Sequence, residues 1–288
     1  MDMTQLGELA YEDGKYLKAL NYFLQAYAED HDTYTRLNIA LCYQALNNKA
    51  QAFSTYEAII DEDPDEAMAY YGIASLYDDD ENYEMAIAHY QKAIEVDPFY
   101  DRAYFFLANA YDILGETHKA VETYKTLLEM MPEDFWALTN LGSIYETQGM
   151  IDFAHQMFKR ALALEPNHGV ALFNMGVIMS KLNRFNDAIH YYKHALTQDT
   201  SYSYTYLNLA VLYKEQGQIE MGLKVLNEGI NHIEEEEGFL FYNRACFHAL
   251  LGHTEESQSD LQEAIKLNVG FLEYAKKDPD LNSILSLS

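Results

Sequence analysis

Small and large apolar residues recur along the chain with a period of 34 residues, and their offsets predict helices. One small series is Gly7, Ala40, Ala74, Ala108, Gly142, Gly176, Ala210 and Ala245. A second small series, which begins at Ala19 and Ala52, carries a bulky residue four positions later. Offsets of three and four place two side chains on one face of an α-helix, so each period predicts two amphipathic helices.

Four prolines mark the end of the period. Pro64, Pro98, Pro132 and Pro166 follow one another at intervals of 34 residues. Because proline blocks the continuation of a helix, this series indicates a recurring helix end. Each period therefore predicts a helical hairpin, which cannot bury its apolar face alone and must stack on its neighbours.

The segment LGSIYETQGMIDFAHQMFKRALALEP, from Leu141 to Pro166, resembles the tetratricopeptide repeat almost position by position. The resemblance covers nearly the whole chain. It implies an all-α fold, a right-handed superhelical α-solenoid of about eight helix-turn-helix repeats with a C-terminal capping helix. We predict a repeat array over residues 1–268 and the capping helix at 269–288. The repeats are expected at residues 1–30, 31–64, 65–98, 99–132, 133–166, 167–200, 201–237 and 238–268.

The C-terminal third departs most from this pattern. Gly222 and Gly229 lie inside the predicted second helix of repeat 7, where each glycine costs about 1 kcal/mol relative to alanine. The acidic run Glu234–Glu237 then adds one residue to the period. We expect this third to be the less stable part and the run to be a hinge candidate. The alternative is a solvated acidic loop without a role.

The charge of the chain narrows the choice of partner. Lysine and arginine total 19, aspartate and glutamate total 46, and the formal net charge is −27. Such a surface repels phosphate backbones and anionic membranes, so we expect neither nucleic-acid binding nor membrane insertion. Basic or neutral proteins remain as partners. The alternative role of the acidic residues is solubility alone.

Cysteine usage and the termini predict a cytoplasmic location. Cys42 and Cys246 lack the spacing of a zinc site and are typical of buried apolar groups in a reducing compartment. The N-terminal residues are acidic and contain no apolar run, and no stretch of about 18 apolar residues occurs. These features indicate neither a signal peptide nor a membrane span.

In the family that the chain resembles, the first helix of each repeat lines a concave groove that usually holds an extended peptide or a partner helix. The register places one asparagine series in this groove: Asn38, Asn140, Asn174, Asn208 and Asn243. An amide offers both a donor and an acceptor, so a row of asparagines can hold a ligand backbone without reading its sequence. The alternative is that asparagine is merely common at this position in the family. Gly72 and Phe106 interrupt the series.

A second series in the groove contains large side chains: Tyr34, Met68, Arg102, Trp136, Val170 and Tyr204. Exposed aromatic rings at these positions would supply contact area at little entropic cost, whereas Trp136 could instead pack between repeats. Acidic residues that include Asp78 and Asp112 cluster toward the ends of the first helices, and the arginines are scattered. We therefore expect the groove to bind a basic or neutral segment rather than an acidic tail.

The sequence offers little support for an enzyme. His190 and His194 lie one helical turn apart, but no third metal ligand is evident near them. No nucleophile elbow, glycine-rich phosphate loop or catalytic cysteine–histidine signature occurs. We predict a protein-binding scaffold or adaptor without catalytic activity, metal or cofactor. The alternatives are a structural protein that self-associates into an oligomer and a conformational regulator hinged near residues 234–237.

Overall fold

The computed structural model describes residues 1–233 and 237–285, and the chain divides into two compact units, Met1–Ala137 and Leu138–Ser288. All regular secondary structure in the described ranges is helical, which confirms the predicted all-α class. Among the helices of these ranges, none is long and apolar enough to cross a membrane.

The helices alternate between two positions of a repeated hairpin. The first helices are α1 (Met3–Glu12), α3 (Thr33–Ala45), α5 (Ala67–Asp79), α7 (Asp101–Ile113), α9 (Phe135–Thr147), α11 (Gly169–Lys181), α13 (Ser203–Glu215) and α15 (Gly238–Leu250). The second helices are α2 (Tyr16–Glu29), α4 (Lys49–Glu62), α6 (Tyr83–Val96), α8 (Thr117–Met130), α10 (Ile151–Leu164), α12 (Phe185–Gln198), α14 (Ile219–His232) and α16 (Thr254–Leu267). From α3 to α13, each first helix begins 34 residues after the one before it.

The core of the unit Met1–Ala137 follows the small and bulky series. Helices that are consecutive in sequence pack together from α1 to α8. Tyr56 of α4 is wholly buried and packs with Leu37 of α3 and Ile73 of α5. Ala52, four residues before Tyr56, is also wholly buried. The ring therefore fills the space between three helices, and the small residue allows the close approach.

Each turn between a first and a second helix contains one residue with a positive φ angle. These residues are Gly14, Asn47, Glu81, Gly115, Gly149, Asn183, Gly217 and Gly252. Glycine and asparagine adopt this conformation most readily, which explains their return at this point of the period. Glu81 adopts the same conformation at a larger steric cost than the glycines and asparagines do.

The two glycines of α14 have a packing reason. A Cβ atom at Gly222 would lie 2.2 Å from Cε1 of Phe247, and one at Gly229 would lie 2.8 Å from Cγ of Tyr206. Both rings are buried, so neither has room to move. The bare backbone lets α14 pack closely on α13 and α15. This packing gives a physical reason for the two glycines despite their helix-propensity cost. The lower stability expected for the C-terminal third stays a prediction.

The C-terminal region differs from the single capping helix expected at 269–288. It forms a short α17 (Phe271–Ala275), a 3₁₀ turn (Pro279–Leu281) and a short α18 (Asn282–Leu285). Ala275, Leu281 and Ile284 are buried against residues of α15 and α16. Asp278 and Pro279 interrupt the helix because residues before proline disfavour helical angles. The predicted hinge at 234–237 falls largely outside the described residues, since Glu234–Glu236 are not among them.

Candidate peptide-binding site

A cleft of about 330 Å³ crosses four first helices of the unit Met1–Ala137, namely α1, α3, α5 and α7. We call it the first cleft. Its lining residues are Tyr11, Leu41, Gln44, Ala45, Tyr56, Met68, Tyr71, Gly72, Ser75, Tyr100 and Arg102. Most of these side chains are aromatic or apolar, and a few polar groups accompany them. This composition is typical of a site that binds another molecule.

Gly72 shapes the floor of the first cleft. It stands where the asparagine series would place an amide. A Cβ atom at this position would lie 2.3 Å from Cζ of Tyr56, whose side chain is wholly buried. Any side chain would therefore displace the Tyr56 ring. The interruption of the asparagine series at Gly72 thus has a packing cause.

The polar groups of the first cleft are neutral hydrogen-bonding groups apart from Arg102. The Tyr56 hydroxyl donates to Oε1 of Gln44 (3.4 Å), and Nε2 of Gln44 donates to Oγ of Ser75 (3.0 Å). Burial raises the pKa of Tyr56 and Tyr71, and it raises the pKa of Tyr100 to about 12. These phenols therefore remain protonated donors at neutral pH.

Arg102 lies at the boundary of the first cleft and a second one. It is exposed, and no ion pair within 4.0 Å involves it in the described part of the chain. Its positive charge lowers the pKa of Tyr71 and Tyr100 against the larger effect of burial. The guanidinium group lines the first cleft together with both phenols and is available to a ligand.

The second cleft, of about 270 Å³, lies in the same unit. Its lining residues are Asp101, Arg102, Phe105, Phe106, Asp134 and Trp136. Trp136 is 52% exposed although its ring makes an edge-to-face contact with Phe135 at 5.2 Å. The ring is thus not enclosed, which speaks against the alternative that it serves only as packing.

The structure leaves the large side chains of the second predicted series exposed. Tyr34, Met68, Trp136, Val170 and Tyr204 are between 37% and 54% exposed, and Arg102 is exposed as well. The Tyr34 hydroxyl donates to Glu8 of the preceding first helix at 2.7 Å. The Tyr204 ring stacks on Phe239 at 5.0 Å. Of this series, the two clefts bring together Met68, Arg102 and Trp136.

The predicted asparagines differ in what they can offer a ligand. Asn38 and Asn243 donate to the backbone carbonyls of Tyr34 (2.9 Å) and Phe239 (2.8 Å) within their own helices. Asn208 lines a smaller cleft of about 170 Å³ together with Tyr192 and Lys181. Asn140 and Asn174 are half-buried. Contact of this series with a ligand stays a prediction.

The charged residues of the first helices are partly neutralised within the chain. Asp78 accepts a hydrogen bond from the Tyr90 hydroxyl at 3.0 Å, and partial burial raises the pKa of both Asp78 and Asp112. Lys181 forms an ion pair with Glu146. Lys214 forms one with Asp280. The two lysines therefore do not offer free positive charge to a ligand.

The C-terminal segment, residues 271–284, covers part of the first helices α13 and α15. Tyr242 donates through its hydroxyl to Oδ2 of Asp278 at 2.7 Å, and its ring stacks on Phe271 at 5.2 Å. Lys214 of α13 pairs with Asp280. The short-range pattern of the sequence does not indicate this contact, because the partners are 66 residues apart. The signal that could have indicated it is a lysine on a predicted first helix together with the acidic sequence Asp278-Pro279-Asp280 near the C-terminus of the chain.

One group of possible metal ligands occurs in the described ranges. Ligand atoms of Cys246, Asp278 and Asp280 lie within 4.8 Å of one another. Burial raises the pKa of the Cys246 thiol, so the thiol remains protonated. Asp280 is already paired with Lys214. The trio is better explained as a hydrogen-bonded ion-pair cluster than as a metal site.

Comparisons with known families identify the repeat. Tetratricopeptide repeat profiles match residues 34–66, 67–100 and 240–268. Residues 104–228 match the profile of the "Cilia and flagella-associated protein 70 middle TPR-like domain". No curated protein sequence matches the chain.

Solved structures share the fold at low sequence identity. A chain of the "APC/C hetero-tetramer Cut9-Hcn1" has a TM-score of 0.63 and 16% identity over 94% of this chain and 52% of its own length. PilW, a "widely conserved type IV pilus biogenesis factor", has a TM-score of 0.64 and 19% identity over 76% of this chain and 98% of its own. YrrB, "a TPR protein with an unusual peptide-binding site", has a TM-score of 0.55 and 22% identity over 64% of this chain and 95% of its own.

The present chain spans about half the length of the Cut9-Hcn1 chain that it matches. The matched structures are α-solenoids, in agreement with the helical hairpins described above. Proteins of this kind generally mediate protein–protein interaction and are typically non-catalytic scaffolds. The recurrence of the matched repeat from residue 34 to residue 268 shows that this chain belongs to the tetratricopeptide repeat proteins.

Proposed function

We propose that the chain is a protein-binding scaffold and that the two clefts of the unit Met1–Ala137 bind an extended segment of a partner protein. The observation that carries this proposal is the first cleft, which crosses four first helices. Packed helices lie about 8–10 Å apart, so four of them span on the order of 30 Å. An extended peptide of about nine residues has this length.

The chemistry of the clefts suits a peptide. Half-exposed rings such as Trp136 give a large contact area for few immobilised torsions. Gln44, Ser75 and the protonated, partly exposed Tyr71 and Tyr100 offer hydrogen bonds to a peptide backbone. YrrB, which shares the fold, carries a peptide-binding site according to its description.

Charge favours a basic or neutral partner segment at these clefts. Residues 1–137 contain 27 acidic and 8 basic side chains, whereas residues 138–288 contain 19 and 11. The potential around the first unit therefore attracts cationic segments and speeds their encounter. Binding should weaken as ionic strength rises, because salt screens exposed charges over about 8 Å at 0.15 M.

A steric block of the first cleft tests the proposal. Ala45 is exposed and lines the cleft, whereas Ala50 is exposed on α4 and lines neither cleft. Peptides would be selected from a randomised display library, and their affinity would be measured by fluorescence anisotropy. We expect Ala45→Trp to weaken binding about tenfold or more, which is about 1.4 kcal/mol. Ala50→Trp should leave it unchanged.

Two outcomes would count against the proposal. The library could yield no binding peptide, or Ala45→Trp could bind the selected peptides as well as the wild type does. Thermal melts of both tryptophan variants would show that the fold is intact. The asparagine prediction is tested by a separate variant. Asn174→Ala with Asn208→Ala should weaken peptide binding by about 1–3 kcal/mol if these amides hold the peptide.

Self-association through the C-terminal end is the alternative function. The C-terminal segment already buries Leu281 and Ile284 against the last hairpin, which leaves less apolar surface there for a second copy. Light scattering at several protein concentrations separates the two functions. A monomer at every concentration would exclude the alternative.

A further inference from the structure

Beside its apolar packing, the C-terminal segment makes polar contacts of one chemical character among the described residues. On the first helices α13 and α15 every contributing group is a donor: the ammonium of Lys214, the hydroxyl of Tyr242 and the thiol of Cys246. On the segment, the acceptors are the carboxylates of Asp278 and Asp280. The Tyr242 hydroxyl lies 2.7 Å and the Cys246 sulfur 3.6 Å from Oδ2 of Asp278. The surface therefore recognises two carboxylates that are separated by one residue.

The segment that occupies this surface has little structure of its own. Its helices α17 and α18 contain five and four residues. Helices this short are not stable in water, because nucleation costs more than so few hydrogen bonds return. The segment is therefore folded only while it is docked, and such an element opens more readily than the core does.

We propose that the surface formed by Lys214, Tyr242 and Cys246 is a second docking surface, which accepts an acidic segment of a partner protein. The matching segment carries two carboxylates one residue apart, followed by an apolar residue in the place of Leu281. The chain's own C-terminal segment is the resident occupant, and the partner segment takes its place. This docking surface is separate from the two clefts of the first unit and does not depend on their function.

Tethering determines when the surface is open. A flexible tether holds its own segment at an effective concentration in the millimolar range. A partner therefore replaces the resident segment only if its acidic segment is accompanied by further contacts. Neutralising the two aspartates of the resident segment should lower this barrier.

The thiol of Cys246 reports whether the segment is docked. Cys246 is buried beside Asp278, and Cys42 is buried in the other unit and serves as an internal control. Maleimide labelling of each thiol would be followed by mass spectrometry. Asp278→Asn with Asp280→Asn should accelerate labelling of Cys246 about tenfold or more, because charge-assisted hydrogen bonds are lost. Labelling of Cys42 should not change.

A matched control separates the local contact from net charge. Asp152→Asn with Glu220→Gln removes the same charge from exposed positions on α10 and α14. This control should label like the wild type. Unchanged labelling of Cys246 in the Asp278/Asp280 variant would overturn the proposal. Equal acceleration at Cys42 would also overturn it, since it would indicate general unfolding rather than local undocking.

A peptide in trans tests the chemistry of the occupant. The probe is a fluorescent peptide with the sequence KKDPDLNSIL, residues 276–285 of the chain. It should bind the Asp278/Asp280 variant about tenfold or more tightly than the wild type and slow the labelling of Cys246. Lys214→Met in the variant and Asp→Asn changes in the peptide should each abolish binding.

Two results with the peptide would contradict the proposal. Accelerated labelling of Cys246 without peptide binding would mean that the surface accepts no acidic segment in trans. A dimer with a protected Cys246, seen by light scattering, would mean that a second copy of this chain is the occupant. If Ala45→Trp abolished peptide binding at the two clefts of the unit Met1–Ala137, the results expected here for Cys246 would not change. The two proposals can therefore fail independently.

Discussion

The first helices of the two units have the same role in the repeat, but their surface is open in one unit and partly covered in the other. In the unit Met1–Ala137, α1, α3, α5 and α7 border a cleft with an aromatic floor, and Arg102 lies beside it without an ion pair in the described residues. In the unit Leu138–Ser288, part of α13 and α15 is covered by the chain's own segment through Tyr242 and Lys214. The repeat therefore fixes the backbone of a surface, whereas the side chains and the neighbouring part of the chain decide whether that surface is open.

The variant with the largest expected effect tests whether the C-terminal segment is packed against the last hairpin. Leu281 is wholly buried, whereas Leu272 of the same segment is 36% exposed. Leu281→Ala should lower the free energy of unfolding of the second unit by about 2–5 kcal/mol, because it leaves a cavity against α15 and α16. Hydrogen exchange of α15 and α16 measures this change. Leu272→Ala is the control, and equal effects of the two variants would show that the segment is not anchored through Leu281.

The next effect concerns the floor of the first cleft. Gly72→Ala should cost about 1–3 kcal/mol of unfolding free energy, because the new Cβ overlaps the buried Tyr56 ring and overpacks the core. The helix propensity of alanine works in the opposite direction by about 1 kcal/mol. Chemical denaturation followed by circular dichroism provides the measurement. A variant more stable than the wild type would mean that Tyr56 can move and that Gly72 does not define the cleft.

A pair of tyrosines compares the two regions directly. Tyr242 and Tyr34 both donate to a carboxylate at 2.7 Å, but the first bond is partly buried and the second is exposed. Tyr242→Phe should cost about 1.5–3 kcal/mol, because a carboxylate loses a charge-assisted bond in a partly buried site. Tyr34→Phe should cost less than about 0.5 kcal/mol, as for other exposed positions. Equal losses of stability for Tyr242→Phe and Tyr34→Phe in thermal melts would contradict the difference between the covered and the open region.

The smallest effect concerns Asp78 and depends on pH. Burial raises the pKa of Asp78 in the folded state, the Tyr90 hydrogen bond lowers it, and repulsion by Asp79 raises it again. The net pKa therefore lies above the value of about 3.9 in the unfolded chain. The stabilising contribution of a protonated Asp78 is fully present below about pH 4 and is lost as the pH rises through the folded-state pKa.

Asp78→Asn removes this dependence and keeps an acceptor for Tyr90. At pH 7 the variant should be more stable than the wild type by less than about 1 kcal/mol, since water screens a half-exposed group. The difference should close as the pH falls toward about 4. Melting temperatures across this range give the readout. A stability difference between variant and wild type that grows as the pH falls would contradict a raised pKa of Asp78.

The sequence predicted the features that depend on short-range periodicity. The burial of Ala52 and Tyr56 follows from their positions in a helix of 3.6 residues per turn. The same pattern left open whether Trp136 is exposed or packs between repeats, and its side chain is 52% exposed. Pairings across long sequence separations were not predictable in the same way. The contact of Lys214 with Asp280 requires knowledge of where the C-terminal segment packs. The register predicts that Asn38 faces the groove, but it does not show that the Asn38 amide donates to its own helix.

Fluorescence of Trp136 tests the central claim most directly, because it is the only tryptophan of the chain and lines the second cleft. Quenching by neutral acrylamide would be measured with and without a saturating, tryptophan-free peptide selected against the protein. A peptide lying across the clefts of the first unit should shield the half-exposed ring and lower the quenching constant. Unchanged quenching at full saturation would contradict the account, because the peptide would then bind elsewhere.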